Sequence, residues 1–238
     1  MSIHERENKY INLLSERNYT VKELSNALFI SEPTVRRDVN EMIKKELITR
    51  KNGVVSIKTN SPDTRVPLFI RNLENKEAKN AIAKKAAMFV KDGDTVMLDA
   101  STTAYCLVQY LAAFKNILVI TSGAKTALAL AALGIRTICA GGEMALGSFS
   151  YIGPDAERTL SGYNADIAFI SCRGISDDGI PSDSSIAENS IRKIMIKNSS
   201  KTYLLCDKSK IGNVFLNTLC DKNELDGIIT DLVEYTKE

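Results

Sequence analysis

From Thr95 to Ile229 the sequence alternates short β-branched apolar runs with stretches of helical periodicity. Runs at 95–98, 117–120, 137–139, 167–170, 202–205 and 227–229 read as strands. Helical patterns lie between them through Cys106, Leu107 and Leu111, over 127–133, and over 186–196. A strand that is apolar on both faces needs a helix layer on each side. The alternation therefore predicts an α/β fold with a mostly parallel sheet. A further helical pattern precedes it, from Glu74 through Ala78, Ile82, Ala86, Phe89 and Val90 to a stop at Asp92-Gly93.

The residues after each strand are small, hydroxylated or glycine, with a few charges. They are Asp99-Ala100-Ser101-Thr102-Thr103, Thr121-Ser122-Gly123, Ala140-Gly141-Gly142, Ser171-Cys172-Arg173-Gly174 and Cys206-Asp207-Lys208-Ser209-Lys210. In a parallel sheet these tips share one edge, where ligands bind. Turns rich in Ser and Thr that open helices offer N–H groups and hydroxyls to an anion, and lysines supply the opposite charge. A phosphate on a polyhydroxylated body suits this inventory. For any single turn, ordinary N-capping by Ser101 or Thr121 is the simpler reading. Convergence of five such turns favours a ligand site. Neither GxGxxG nor a P-loop pattern is present.

The first sixty residues have a different grammar. Ser2-x-x-Glu5 and Thr20-x-x-Glu23 are capping-box patterns that open two helices, ending near Arg17 and Leu28. Phe29-Ile30 reads as a tight apolar turn. Ser31 is placed to cap a third helix, with Pro33 in its first turn. Val35, Val39, Met42 and Ile43 form its apolar face; Arg37, Asn40 and Lys44 lie opposite and Arg36 at the edge. Two short strands, 47–50 and 54–57, flank Asn52-Gly53, a strong hairpin signal. Three helices and a hairpin predict a winged helix-turn-helix. Its third helix would enter the DNA major groove with Thr34, Arg36 and Arg37 near the leading end, Asp38 bracing a guanidinium, and Arg50 and Lys51 on phosphates. Thr20 and Ser31, at the helix starts, complete the candidate DNA-binding set. A purely solvated helix, or a module that contacts only protein, is the alternative.

Residues 58–67, with two prolines and no periodicity, read as linker. The expected division is 1–57 as the DNA-binding domain, 58–73 as linker, and 74–238 as effector-binding and oligomerisation domain. Charge agrees with it weakly. Residues 1–60 hold 11 Lys/Arg against 8 Asp/Glu, a balance of +3, and the remainder 20 against 21, a balance of −1. Five scattered cysteines and one histidine, His4, argue against a disulfide framework, a metal site and His-dependent nucleophilic catalysis. No run approaches a membrane span, and the first ten residues carry charges where a secretory signal needs apolar ones, so a cytoplasmic protein is expected.

Several blocks resemble one family: TVKELSNALFISEPTVRRDVNEMIKKELITR (20–50), DGDTVMLDASTT (92–103), ITSG (120–123), GG (141–142), ADIAFISCRGI (165–175), ENSIRKIMI (188–196) and LLCDKSKIG (204–212). Together they resemble bacterial transcription regulators of the DeoR type over nearly the full length. The resemblance implies a transcription factor, usually a repressor. It also implies a C-terminal domain with a fold like that of ribose-5-phosphate isomerase, sensing a phosphorylated sugar or related metabolite. By similarity Ser101, Thr102, Thr103, Thr121, Ser122 and Gly123 would form a phosphate cradle. Asp99, Gly142 with its neighbour Gly141, Arg173, Glu188, Asp207 and Lys210 would lie around the sugar. Ser101 stands where the family usually has glycine, and Ser122 where it has Asn.

The expected partners are an operator in double-stranded DNA, a phosphorylated sugar effector and further copies of the chain. One module covers only a half-site, so a homodimer or homotetramer is expected. No cofactor is expected. The competing reading is a sugar-phosphate isomerase-like enzyme, which needs a carboxylate base; Glu188 and Asp207 are the candidates.

Overall fold

The computed structural model describes residues 3–45, 47–57, 71, 74–145 and 147–232. The proposed cap Ser2 lies outside them, as does nearly all of the expected linker. The chain divides into two compact units, Met1–Glu74 and Asn75–Glu238.

The first unit runs α1 (Ile3–Glu16), β1 (Tyr19–Thr20), α2 (Val21–Leu28), α3 (Glu32–Lys44), β2 (Ile48–Lys51) and β3 (Val54–Ile57). Tyr10, Ile11, Leu24, Val35, Val39, Met42, Ile48 and Val55 form its core. The Thr20–Glu23 box closes as expected. Thr20 Oγ1 accepts from Glu23 N at 3.2 Å, and Glu23 Oε2 accepts from Thr20 N at 2.7 Å. Asn52 and Gly53, at φ +51° and +80°, make the two-residue turn between β2 and β3. Both φ values are positive, the requirement of a type I′ hairpin turn.

Four features differ from the sequence reading. Tyr19–Thr20 adds a third strand, antiparallel to β3, too short to show a period. The Ser31 hydroxyl meets Thr34 Oγ1 at 3.0 Å and caps no backbone N–H. Phe29 is 96 % exposed and adopts a left-handed φ of +54°, so only Ile30 contributes apolar contact at that turn. Asp38 braces a guanidinium, but that of Arg6 in α1: Arg6 Nε donates to Asp38 Oδ2 at 2.9 Å, and Tyr10 Oη approaches the same oxygen at 3.4 Å. The reason is helical geometry. Asp38 falls one turn from Val35 and Met42, on the buried flank, whereas Arg36 and Arg37 point away from it.

The second unit begins with α4 (Lys76–Ala87) and continues through β4 (Thr95–Leu98), α5 (Thr102–Tyr105), α6 (Val108–Leu111), β5 (Leu118–Thr121), α7 (Ala124–Ala132) and β6 (Arg136–Cys139). There follow β7 (Glu143–Ala145), β8 (Ser150–Ile152), α8 (Gly153–Ser161), β9 (Ile167–Ser171), β10 (Gly174–Ile175), β11 (Pro181–Asp183), α9 (Ile186–Lys197), β12 (Thr202–Leu205), β13 (Asn217–Thr218) and β14 (Gly227–Ile229). Six strands form one sheet in the order β14-β12-β9-β4-β5-β6, and every neighbouring pair in it is parallel.

Strand alternation sorts the core into two layers. Val96, Leu98, Val119 and Phe169 pack under α4, α6 and α7 through Ile82, Leu111 and Leu130. Met97, Ile120, Ile170 and Leu204 pack against α8 and α9 through Leu160, Ile191 and Met195. The expected helix through Cys106, Leu107 and Leu111 is two short helices, α5 and α6, with Cys106 and Leu107 in the turn between them. The expected extension of α4 to Val90 does not form. Phe89, beyond its end, packs against Tyr203 with ring centroids 4.4 Å apart and ring planes tilted by 32°. The β7–β8 hairpin and the small sheet β10-β11-β13 escaped the sequence reading, because their strands span two or three residues; the nine-residue α8 escaped it as well. No helix among the described residues is long and apolar enough to cross a membrane.

Candidate DNA-reading and sensor sites

In the first unit α3 presents a polar arc. Arg36, Arg37, Asn40 and Lys44 are all exposed, and at 100° per residue they fall within about a third of the helix circumference. Arg36 Nη2 pairs with Glu32 Oε2 at 3.1 Å and Lys44 Nζ with Glu41 Oε1 at 2.7 Å. Arg37 makes no ion pair among the described residues. Arg50 and Lys51 are exposed on β2 beside the hairpin turn. Thr34 is half-buried against Ser31, and the Thr20 hydroxyl is committed to Glu23. Glu23 also takes Arg17 Nη1 at 2.9 Å. The Thr20 backbone N–H, the Thr20 hydroxyl and then Arg17 hold its carboxyl at about 2, well below the ordinary 4.5.

In the second unit the sheet changes direction of growth at β4. The chain moves from β4 to β5 and β6 on one side, then returns to β9, β12 and β14 on the other. Ligands of open α/β sheets bind beyond the strand C-termini at such a switch point. The tips after β4, β5, β6, β9 and β12 are the five hydroxyl- and glycine-rich segments. Asp99, Ser101, Thr102, Thr103, Thr121, Ser122 and Asp207 are all buried there.

Hydrogen bonds link these tips. Asp99 Oδ1 accepts from Ser101 N at 3.0 Å, shaping the first turn, and Asp99 Oδ2 accepts from Ser171 N at 3.0 Å, tying β4 to β9. Ser101 Oγ caps α5 at Ala104 N, and Thr121 Oγ1 accepts from Gly123 N. Both hydroxyls thus do ordinary turn work. Thr103 Oγ1 is different: it is buried and has no hydrogen-bond partner among the described residues. Leaving such a hydroxyl unpaired costs about 1–3 kcal/mol. Lys210 Nζ reaches across to Ser171 Oγ at 2.8 Å. Asp207 Oδ1 accepts from Ser209 N and from Asn75 Nδ2. Arg173 Nη1 donates to Ser184 Oγ at 2.5 Å, with its guanidinium 5.4 Å from the Phe215 ring centre. Gly141 and Gly142 take φ values of +67° and +93° after β6.

One central residue was not anticipated. Arg192 on α9 is buried, and its Nε donates to Asp99 Oδ2 at 2.9 Å. Its Nη1 donates to Asp183 Oδ2 at 2.9 Å and Asn189 Oδ1 at 3.0 Å. Burial alone would depress its pKa; the Asp183 and Asp99 carboxylates, with Glu188 a turn earlier, outweigh burial and raise it. Asp183 is likewise held below its ordinary value: burial opposes ionisation, and Arg192 overcomes that. The sequence carried a signal. Glu188, Ile191, Arg192 and Met195 share the i, i+3, i+4, i+7 stripe of a helix whose face is otherwise core.

Comparison with known proteins fits both units. Residues 6–60 match the DeoR-like helix-turn-helix domain, and residues 74–232 match the DeoR C terminal sensor domain. The chain belongs to the DeoR family of transcriptional regulators. It is 34 % identical over 234 residues to the uncharacterized HTH-type transcriptional regulator YulB of Bacillus subtilis (strain 168), covering 97 % of this chain and 90 % of that one. It is 28 % identical over 229 residues to the glycerol-3-phosphate regulon repressor of Escherichia coli (strain K12), covering 95 % and 90 %. Ribose 5-phosphate isomerase A from Methanocaldococcus jannaschii aligns at 19 % identity and a TM-score of 0.44, over 58 % of this chain and 55 % of that chain. As a DeoR regulator the chain pairs a DNA-binding head with a sensor domain. Among its described residues no group of three His, Cys, Asp or Glu side chains could hold a metal ion.

Proposed function

We propose that this regulator represses a carbohydrate-utilisation operon and that a phosphorylated sugar or related metabolite controls it by binding the strand tips around β4. The single observation that carries the reading is the buried, unpartnered Thr103 hydroxyl among the tip residues. A phosphate oxygen accepting its proton would recover the cost of its burial. Lys210 and Arg173 supply cationic groups, Ser101, Thr102, Thr121, Ser122 and Gly123 the remaining cradle, and Gly141, Gly142, Glu188 and Asp207 the surroundings of the sugar. Asp99 serves the site indirectly, by holding the Ser101 turn. The repressor of the glycerol-3-phosphate regulon, among the relatives, is named for a system built on a phosphorylated metabolite.

On this reading residues 1–57 bind the operator through Thr20, Ser31, Thr34, Arg36, Arg37, Asn40, Lys44, Arg50 and Lys51. Residues 58–73 link, and residues 74–238 sense and oligomerise as a dimer or tetramer in the cytoplasm. The effector acts by binding one arrangement of the oligomer better than another, since a ligand indifferent to the two shifts nothing. No isomerase activity is proposed.

The test is a thermal-shift screen of the full chain against phosphorylated sugars and their unphosphorylated counterparts, followed by DNA retention with each hit. A true effector at a hundred times its dissociation constant stabilises by about 2.7 kcal/mol. The hit must also change DNA affinity without being turned over. A screen in which no phosphorylated compound outperforms its parent sugar would overturn the reading, and turnover would establish the enzyme instead.

A further inference from the structure

Cys172 and Cys206 are the residues that follow β9 and β12, and the parallel register pairs Ser171 with Leu205 immediately before them. The two thiols therefore emerge side by side from adjacent strands. Both are buried, at 4 % and 1 % exposure, in the same core layer, and the Cys206 thiol donates to the Asp207 carbonyl at 3.5 Å. Each is next to a tip residue with a cationic or acidic role: Cys172 precedes Arg173, and Cys206 precedes Asp207. Nothing in the sensor reading uses either sulfur.

We propose that Cys172 and Cys206 are a peroxide-reactive dithiol that closes to a disulfide across the tips of β9 and β12. The chemistry of the pair suits the two roles. Cys172 is the more acidic: the neighbouring Cys206 thiol, and then the charges of Lys210 and Arg192, favour its thiolate against the cost of burial. Cys206 keeps its proton until the second step, held by the neighbouring Cys172 sulfur and by burial. In the first step the Cys172 thiolate attacks one oxygen of hydrogen peroxide. The O–O bond breaks, the departing oxygen takes a proton from water, and the sulfur is oxidised by two electrons to a sulfenic acid. In the second, the Cys206 sulfur attacks that sulfur, the S–O bond breaks, and the Cys206 proton leaves with the hydroxide as water. Two thiols and one peroxide give one disulfide and two waters.

The other three cysteines lack this arrangement. Cys106 and Cys139 are half-buried, on α5–α6 and β6. Cys220 shares the core layer of Cys172 but follows a strand of the small sheet, so no strand register sets it beside Cys172, and burial and then Glu224 push its thiol up to about 12. The consequence for sensing, a tether between the Arg173 and Asp207–Lys210 tips, rests on the proposed effector site; the disulfide itself does not.

The experiment treats the reduced full chain with hydrogen peroxide, alkylates the remaining thiols and maps disulfide-linked peptides by mass. A link joining the peptides of Cys172 and Cys206 is expected, with the loss of two hydrogens and restoration by dithiothreitol. In Cys206→Ser, a sulfenic acid-specific probe should label Cys172; in Cys172→Ser, peroxide should leave Cys206 as a thiol. Circular dichroism of both variants checks that they fold. Links that instead involve Cys220, or oxidation confined to Cys106 and Cys139, would overturn the proposal. Binding of inorganic phosphate, followed in reduced and oxidised protein, separates the two readings. Failure of phosphate to bind the reduced chain counts against the sensor site, whereas absence of the link overturns the dithiol whatever phosphate does.

Discussion

Arg192 Nε lies 2.9 Å from Asp99 Oδ2 with both side chains almost wholly removed from water. The contact joins α9 to the turn that opens the β4 tip, because the other oxygen of Asp99 holds Ser101 N. Arg192 also holds Asp183, whose second oxygen accepts from Ser185 N at the start of α9. One guanidinium thus fixes three separate chain segments beside the candidate sensor site.

Removing that cation leaves two carboxylates buried without compensation. Arg192→Met is expected to destabilise the sensor unit by about 3–5 kcal/mol, the cost of breaking a buried pair from one side. Urea denaturation of the full chain measures it. Asp99→Asn, which keeps the shape and can still accept from Ser101 N, should cost less. The double variant should fall short of the sum of the two, since the contact is shared. Additive losses would mean that the two residues act separately.

Arg36 and Arg37 make a salt-dependent prediction. If both meet phosphates, each Arg→Ala change lowers the slope of log affinity against log salt by about one per half-site, with no change in sequence preference. The Arg36–Glu32 pair is exposed, and such pairs are worth little, so Arg36 surrenders it on binding DNA. Retention titrations at several salt concentrations check this. An unchanged slope in both variants would point to a protein partner for α3.

Phe29 occupies a left-handed position with almost its whole side chain in water. Only glycine adopts that backbone without a steric penalty. Relief of that strain, about 1–2 kcal/mol, outweighs the extra backbone freedom that glycine loses on folding, so Phe29→Gly should raise the urea midpoint of the DNA-binding unit at constant slope. A fall in stability would show that the exposed ring has a contact that outweighs the strain.

Glu23 sets an acid limit on the same unit. Its carboxyl sits at about 2 when folded, against 4.5 ordinarily, so the folded state favours its ionised form. The stability this brings is complete above pH 4.5 and drains away as pH falls toward 2. Glu23→Gln should lower stability at neutral pH and flatten its decline across that interval. A pH series of thermal melts for the two proteins makes the comparison. Identical slopes would place the acid sensitivity elsewhere.

Gly123 opens α7 at the second tip. A Cβ built there would stand 2.8 Å from Thr126 Oγ1 and 3.1 Å from the Ala100 Cα. Because Ala100 belongs to the first tip, Gly123→Ala pushes the two tips apart. The expected result is weaker phosphate or effector binding, with little change in DNA affinity in the absence of effector. Calorimetric titration alongside DNA retention separates the two effects.

Much of this was legible in the sequence because it is written in local periodicity. The six strands of the main sheet follow from β-branched runs, α2 from the Thr20–Glu23 box, and the hairpin from Asn52-Gly53. Each of those signals is carried by residues a few positions apart, where backbone preference and side-chain spacing act directly. The tips after the strands were readable for the same reason, as composition at known positions.

What only the tertiary structure decided was which charged groups face one another. Asp38 lies next to Arg36 and Arg37 in sequence, yet helix rotation turns it to Arg6, 32 residues away. Asp99 meets Arg192 across 93 positions, and Cys172 meets Cys206 because strands distant in the chain are neighbours in the sheet. A charge in the sequence has many possible partners. Burial selects one, because an unpaired ion inside a protein costs more than most folding contacts return, and which partner is available depends on how the whole chain closes.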